Sequence, residues 1–305
     1  MGSDARLGWR GGGVGVAGGG VSGSWRSVLV TGGTGYFGRA FVRRLLDENH
    51  CGRVCVFSRG EFQQAQMEVE FSFDARLRFL IGDVRDYDRL RMAMQGVQLV
   101  VHAAALKRVG ACEYNPIEAI KTNVEGAKNV ALAATDAGVE RVVFLSSDKA
   151  CNPLNLYGST KLTAEKMFLD QNRARGAYGP RFAAVRYGNV WNSTGSVVPM
   201  WKEILKTNDT VPVTDPECTR FYMTREQAVD LVLRTAKTME GGELAIPELP
   251  AYRLGDLAEA MGAKMRIVGL PPSEKKDESM REGVSSDRAS RMSMDELREA
   301  LRNAA

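Results

Sequence analysis

From Ser27 onward the apolar residues of this chain fall into two alternating rhythms. Short continuous runs, Val28-Leu29-Val30, Val54-Cys55-Val56-Phe57, Leu77 to Ile81, Val97 to His102, Val142 to Leu145 and Phe182 to Val185, suit strands buried on both faces. Between them the apolar positions recur at helical spacing, as Phe41-Val42 and Leu45-Leu46 do among charges. Strand and helix in alternation call for a parallel sheet covered by helices on both faces, a doubly wound α/β fold. Ligands of such sheets bind beyond the C-terminal strand ends, so chemistry is sought in the residues that follow each strand. After Val190 the alternation gives way to shorter, mixed elements. The pattern therefore predicts a sheet domain over residues 27–190 and a smaller, mainly substrate-binding domain over 191–305, with Asp287 to Leu301 as a charged terminal helix.

The first 26 residues obey neither rhythm. Gly11-Gly12-Gly13 and Gly18-Gly19-Gly20 punctuate a stretch with too little apolar surface to offset its ordering entropy, so it is expected to be disordered. It lacks the continuous apolar core of a signal peptide, and Arg6 stands where a myristoylation signal needs Ser or Thr. No later segment has the apolar length of a membrane span, which points to a soluble cytoplasmic protein. A net charge of +4 over 305 residues, without a dense Lys/Arg block, gives no footprint for nucleic acid. Five dispersed cysteines read as reduced thiols, and two isolated histidines, His50 and His102, leave metal chemistry without a ligand cluster.

Against that background the segment after the first strand stands out. Gly32, Gly33, Thr34, Gly35, Tyr36, Phe37 and Gly38 lie between a strand and an amphipathic helix, the context a dinucleotide-binding loop requires. Glycine permits the tight turn and lets a pyrophosphate approach main-chain N–H groups at a helix N-terminus. The second strand ends in Ser58-Arg59, where a carboxylate would be needed to accept the ribose 2′-hydroxyl of NAD. A guanidinium there can pair with a 2′-phosphate, which favours NADP, although Arg59 also suits a solvated helix start.

Three further strand ends carry candidates. Asp83, followed by Val84, has a carboxylate that could accept from the adenine amino group, whereas Asp86 fits better as the cap of a helix beginning near Tyr87. Ala103, Ala104 and Ala105 let backbone approach a cofactor, and Lys107 faces either cofactor or substrate unless it is simply solvated. The sharpest constellation follows the fifth strand: Ser147, Asp148 and Lys149, then Tyr157 and Lys161. Tyrosine and lysine four apart share one helix face, so the Lys161 ammonium would lower the Tyr157 pKa and make the phenol a usable acid/base.

With these segments in view the chain resembles the extended short-chain dehydrogenase/reductase family over nearly all of Ser27 to Lys276, which implies a Rossmann domain with a smaller C-terminal substrate-binding domain. Asp148-Lys149 beside Ser147, together with Arg186-Tyr187-Gly188-Asn189-Val190 and Ser196-Val197-Val198-Pro199, is similar to one branch, the inverting UDP-N-acetylglucosamine 4,6-dehydratases. That resemblance implies transient oxidation at C4, with Tyr157 taking the hydroxyl proton and NADP the hydride. Lys149 would then remove H5, Asp148 would protonate the departing C6 hydroxyl, and the hydride would return to C6. It also implies a cofactor set that includes Asn123, Tyr187, Asn189 and Val190, and a UDP-amino sugar held by Lys107, Asn189, Ser196, Val197, Val198, Thr214, Arg220 and Glu274, with Arg220 as diphosphate clamp. Related enzymes self-associate, so a homo-oligomer is expected.

Where the family carries Pro-Gly-Glu-Lys and then His-Glu, this chain has Pro272-Ser273-Glu274-Lys275-Lys276-Asp277-Glu278, which opens the sugar and nucleotide to variation. A nucleotide-sugar 4-epimerase or 5,6-dehydratase would share the cofactor cycle. A non-catalytic NADP-binding regulator would have no use for Tyr157, Lys161, Asp148 and Lys149, and an epimerase none for the Asp-Lys pair.

Overall fold

The computed structural model describes residues 24–303 apart from 175, 177 and 178. The disorder expected for residues 1–26 thus lies outside the described residues up to 23. Trp25 is already part of the fold: it is buried, it pairs with Cys51, and its N–H donates to the His50 carbonyl at 2.8 Å.

In chain order the elements are β1 (Val28–Thr31), α1 (Tyr36–Asp47), β2 (Val54–Ser58), α2 (Glu61–Glu70), β3 (Leu77–Ile81), α3 (Tyr87–Ala93), β4 (Leu99–His102), α4 (Val109–Tyr114) and α5 (Pro116–Ile120). A π-helical turn (Lys121–Glu125) runs into α6 (Gly126–Asp136), followed by β5 (Arg141–Leu145), a 3₁₀ turn (Asp148–Ala150), α7 (Leu156–Ala174) and β6 (Arg181–Val185). The remainder comprises α8 (Val197–Ile204), β7 (Thr210–Val213), β8 (Thr219–Phe221), α9 (Arg225–Thr238), β9 (Leu244–Ala245), β10 (Ala251–Arg253), α10 (Leu254–Ala260), β11 (Lys264–Ile267), β12 (Ser279–Arg281), β13 (Val284–Ser285) and α11 (Met294–Arg302).

Seven strands form one parallel sheet in the order β3-β2-β1-β4-β5-β6-β9. Side chains of a strand alternate between faces, and here both faces are apolar. Val28 and Val30 pack with Phe41, Val42 and Leu45 of α1 and Val229 and Val232 of α9, while Leu29 joins Leu90 of α3, Val130 of α6 and Phe168 of α7 on the other side. This is the doubly wound Rossmann architecture. The strand order reverses between β1 and β4, which opens a crevice at their C-terminal ends.

The second lobe has its own core, in which Trp201, Val211, Val213, Tyr252, Leu257 and Leu297 meet. The division at residue 190 does not follow the observed layers. Helix α9 packs on α1, β5 and β6, and β9 extends the main sheet beyond β6, so residues 225–245 return to the first unit after the chain has visited the second. The terminal helix is shorter than its charge pattern suggests, because Ser293 and Glu296 form a reciprocal capping box that starts α11 at Met294. All five cysteines are buried and free. Among the described residues no helix is long and apolar enough to cross a membrane.

Candidate active site

The crevice is a cleft of about 680 Å³. Its floor is the glycine loop, lined by Gly32, Thr34, Gly35, Tyr36, Phe37 and Gly38, with the N-terminus of α1 opening into it. Gly32 has a φ of +67°, and a Cβ there would lie 2.9 Å from the Ala104 Cα, so only glycine lets the loop nest against the β4 end. Gly33 turns away from the cleft toward Val30 and Val56. Ser58, Arg59, Asp83 and Val84 line one end, and Ala103, Ala104, Ala105 and Lys107 line the side. Arg59 is 58% exposed and 3.9 Å from Asp83, free to reorient toward an anion. As its spacing suggested, Asp86 caps α3, accepting from the Arg89 N–H at 2.9 Å, while Asp83 accepts from Arg85.

Ser147, Lys149, Tyr157, Lys161, Tyr187, Asn189 and Val190 line the other end. Two local features bring them there. Asn155 accepts from the Gly158 N–H at 2.8 Å and so fixes the start of α7. Gly158 lets that helix close on the 3₁₀ turn, since a Cβ would come within 2.2 Å of the Lys149 carbonyl oxygen. Tyr157 and Lys149 are thereby held at the same end of the cleft.

The Lys149 ammonium lies 3.3 Å from Asp148 Oδ1 and 3.1 Å from Glu278 Oε1. Burial disfavours its charge, but the Asp148 and Glu278 carboxylates outweigh burial and hold Lys149 above the usual lysine range. Asp148, only 1% exposed, receives a hydrogen bond from the Ser147 hydroxyl at 2.9 Å, and burial raises its pKa against the pull of Lys149. It stands behind Lys149 instead of lining the cleft. Glu278 is held below the usual carboxylate range: burial pushes it up, and Lys149, Arg220 and Lys275 outweigh that.

The expected effect of Lys161 on Tyr157 is not what the structure contains. Burial pushes the Tyr157 phenol up to about 12; Lys149 and a hydrogen bond with the Ser147 hydroxyl pull it down, and Lys161 does not contribute. The Lys161 ammonium sits 4.1 Å over the centre of the Phe144 ring, and burial pushes it down to about 7 while Glu165 opposes the fall. Tyrosine and lysine share a helix face and both line the cleft, with the ammonium seated over Phe144.

Other expected ligands do not line this cleft. Asn123 is buried; its amide bonds the Leu106 N–H and C=O, both at 2.8 Å, and the Thr160 hydroxyl at 3.0 Å, so it braces the loop that carries Lys107 instead of lining the cleft. Ser196, Val197, Val198, Thr214, Arg220 and Glu274 do not line it either. Val198 is in the second core, and Arg220 donates to the Thr219 and Lys276 carbonyls at 2.8 and 2.9 Å with Glu274 at 3.7 Å, so its guanidinium already organises the segment leading to Glu278.

Sequence reasoning passed over two acidic groups. Glu165 accepts from the Ser146 hydroxyl at 2.6 Å and pairs with buried Arg186, which also donates to the Met280 carbonyl at 2.6 Å and so ties the sheet to the second lobe. Glu165 lies one turn beyond Lys161, a spacing that could have flagged it. Glu278 comes from far along the chain, and only the fold brings it to Lys149.

The model of the polysaccharide biosynthesis protein family matches residues 28–299. A UDP-N-acetylglucosamine 4,6-dehydratase (inverting) of Campylobacter jejuni subsp. jejuni serotype O:23/36 is 43% identical over 86% of this chain and 78% of its own length. A protein named UDP-glucose 4-epimerase, from Rickettsia bellii, is 39% identical over 86% of this chain and 78% of its own length. The X-ray structure of Pen from Bacillus thuringiensis superposes with a TM-score of 0.88 at 36% identity, covering 93% of this chain and all of that one. More distant solved structures of the same fold hold NAD.

Proposed function

The chain belongs to the polysaccharide biosynthesis protein family, and from that premise we propose that it is a nucleotide-sugar 4,6-dehydratase acting on UDP-N-acetylglucosamine. It would oxidise C4, remove water across C5 and C6 and return the hydride to C6, giving a 4-keto-6-deoxy sugar. The observation that carries this reading is the meeting of Tyr157 with the Lys149-Asp148 pair at one end of the dinucleotide cleft. A dehydrogenase or an epimerase needs only the first.

The glycine loop, the N-terminus of α1 and the small residues after β4 line one cleft and fit a nicotinamide dinucleotide, because glycine at position 32 lets the loop close against the Ala104 backbone. When bound, that cofactor supplies hydride acceptance at C4 and hydride return at C6. The chain's residues handle the protons. Tyr157 takes the O4 proton, helped by the neighbouring Lys149 charge. With C4 a carbonyl, H5 becomes acidic, and Lys149 removes it once its ammonium has given up a proton, which the flanking carboxylates make the demanding part of the step. Asp148, raised by burial toward its protonated form and standing behind Lys149, is the acid for the departing C6 hydroxyl, its proton passing through the Ser147 hydroxyl that lines the cleft. Hydride return to C6 is matched by a proton returned to C5 from Lys149, and the proton gained by Tyr157 balances the one lost with water, so the cycle needs no net oxidant, reductant or base.

The test is isotopic. Substrate deuterated at C4 should give a product lighter by one water that carries the deuterium at C6, and a run in heavy water should place solvent deuterium at C5. Unchanged product mass would favour the epimerase that the Rickettsia relative's name suggests. Release of NADPH in step with product would make the chain an ordinary oxidoreductase.

For the cofactor we propose NADP, supported by Ser58 and Arg59 at the end of β2 where they line the cleft. A charge-assisted contact with the 2′-phosphate is worth about 1.5–3 kcal/mol. Arg59→Ala should therefore weaken NADP binding by about 10- to 100-fold and leave NAD binding unchanged. Equal affinity of the wild type for the two cofactors, measured by titration of protein fluorescence, removes the assignment.

A further inference from the structure

Glu278 has no part in the chemistry derived above, yet it is built against a residue that does. Its side chain is 4% exposed, and Oε1 lies 3.1 Å from Lys149 Nζ, on which Asp148 Oδ1 converges at 3.3 Å. The other oxygen, Oε2, lies 3.9 Å from Lys275 Nζ. The segment that bears it is held from several sides. The Glu278 N–H donates to the Ser286 hydroxyl at 2.9 Å, the neighbouring Asp277 accepts from Thr219 at 2.6 Å, and Arg186 grips Met280. A carboxylate fixed this firmly makes proton loss from Lys149 harder, the reverse of what a base alone requires.

We propose that Glu278 is a positioning residue for C4 oxidation, holding Lys149 in the cleft as an ammonium beside Tyr157, so that the lysine works first as a cation and only afterwards as a base. The proposal rests on the dehydratase reading. In the first step the O4–H bond breaks and its proton passes to the Tyr157 phenolate, while the C4 hydrogen leaves with its electron pair to the nicotinamide ring. A cation beside the phenol favours the phenolate that this step consumes. Lys149 neither gains nor loses a proton there. It gives up its own later, to water in the cleft, toward which its side chain is 18% exposed, and the free amine then takes H5.

The other groups that face Lys149 leave this task to Glu278. Burial raises Asp148, on the lysine's own turn, toward the protonated form that the leaving hydroxyl needs, and the Glu278 charge adds to burial. Arg220 from β8 and Lys107 from the loop after β4 are cations and oppose the lysine charge. Tyr157 from α7 and Tyr252 from β10 are phenols that burial keeps protonated. Glu278 is the carboxylate held in the ionised form: against burial, Lys149, Arg220 and Lys275 keep it so.

Two readings on the full-length protein test this. Trace labelling with acetic anhydride across pH, read by peptide mass spectrometry, follows the free amine of Lys149 without substrate or cofactor. Glu278→Gln keeps the shape and removes the charge, so at about pH 8 it should label Lys149 about tenfold or more faster than the wild type. Glu278→Asp, which keeps a carboxylate, should restore slow labelling. The second reading, with UDP-N-acetylglucosamine and NADP, pairs cofactor reduction, followed by absorbance, with deuterium entry at C5 from heavy water. In Glu278→Gln, C4 oxidation should set in at higher pH than in the wild type, while C5 exchange counted per reduced cofactor rises at neutral pH. A merely structural role would lower both equally at every pH; that outcome, or wild-type labelling in Glu278→Gln, overturns the proposal with the dehydratase reading intact. If the glutamine variant does not fold, the wild type decides: Lys149 labelling that levels off below the ordinary lysine value of about 10.4 overturns the proposal, and labelling still rising there supports it. A wild type that labels as expected and never reduces cofactor overturns the dehydratase reading, and the role of Glu278 in C4 oxidation with it.

Discussion

Lys149→Ala is expected to lower dehydration by about a thousandfold, within the range for loss of a general base, while the cofactor still binds and C4 is still oxidised. Lys149 is the member of the cluster of Asp148, Lys149 and Glu278 that lines the cleft, and both carboxylates stand behind it. Removing the amine leaves two buried carboxylates facing each other without their cation, and breaking a buried pair commonly costs about 3–5 kcal/mol. Thermal melts must therefore accompany the rates. The informative signature is a split: absorbance at 340 nm rises on adding substrate, and neither C5 exchange nor loss of water follows. Because Lys149 also lowers the Tyr157 pKa, the remaining C4 oxidation should require higher pH than in the wild type. If the double variant Asp148→Asn, Lys149→Ala dehydrates at nearly the wild-type rate, the pair has no role in elimination.

The parts of this molecule that the sequence discloses are those in which neighbours in sequence are neighbours in space. Strands β1, β2, β4, β5 and β6 announce themselves because they are mostly buried and their apolar runs are continuous, whereas β3, at the sheet edge, is largely uncovered. The glycine loop is legible because its backbone geometry can be met by so few residues. What escapes is what the fold assembles from a distance. Helix α9 and β9 follow an excursion into the second lobe through α8, β7 and β8, so nothing local marks them as belonging with the first sheet. Asn123 looks like a cofactor ligand by position, but the π-helical turn aims its amide at Leu106. Tyr157 and Lys161 sit one turn apart, which brings their Cβ atoms together and says nothing about where a four-carbon side chain ends; the Phe144 face and Glu165 draw the ammonium away. Glu278 is far from Lys149 in sequence, and the grip of Ser286, Thr219 and Arg186 on its segment explains how its carboxylate meets Lys149.

Tyr157→Phe should suppress the reaction one step earlier, by a factor of about a thousand or more, with neither cofactor reduction nor C5 exchange nor product. Only the phenol oxygen is lost; the ring still packs, and the forfeited hydrogen bond with Ser147 is worth about 1 kcal/mol, so the variant should fold and bind cofactor normally. The reason for so large an effect is order. H5 is not acidic until C4 is a carbonyl, and C4 cannot give up a hydride until its hydroxyl proton has somewhere to go. Burial holds the phenol up at about 12, and the phenolate is the form that accepts a proton, so wild-type C4 oxidation should accelerate as pH rises toward that value. Ser147→Ala, which removes one of the two groups lowering the phenol, should displace this rise to higher pH without abolishing it. The displacement separates a group that tunes Tyr157 from the group that moves the proton. Cofactor reduction by Tyr157→Phe at the wild-type rate would transfer the O4 proton to another base and require the redox half of the mechanism to be rebuilt around it.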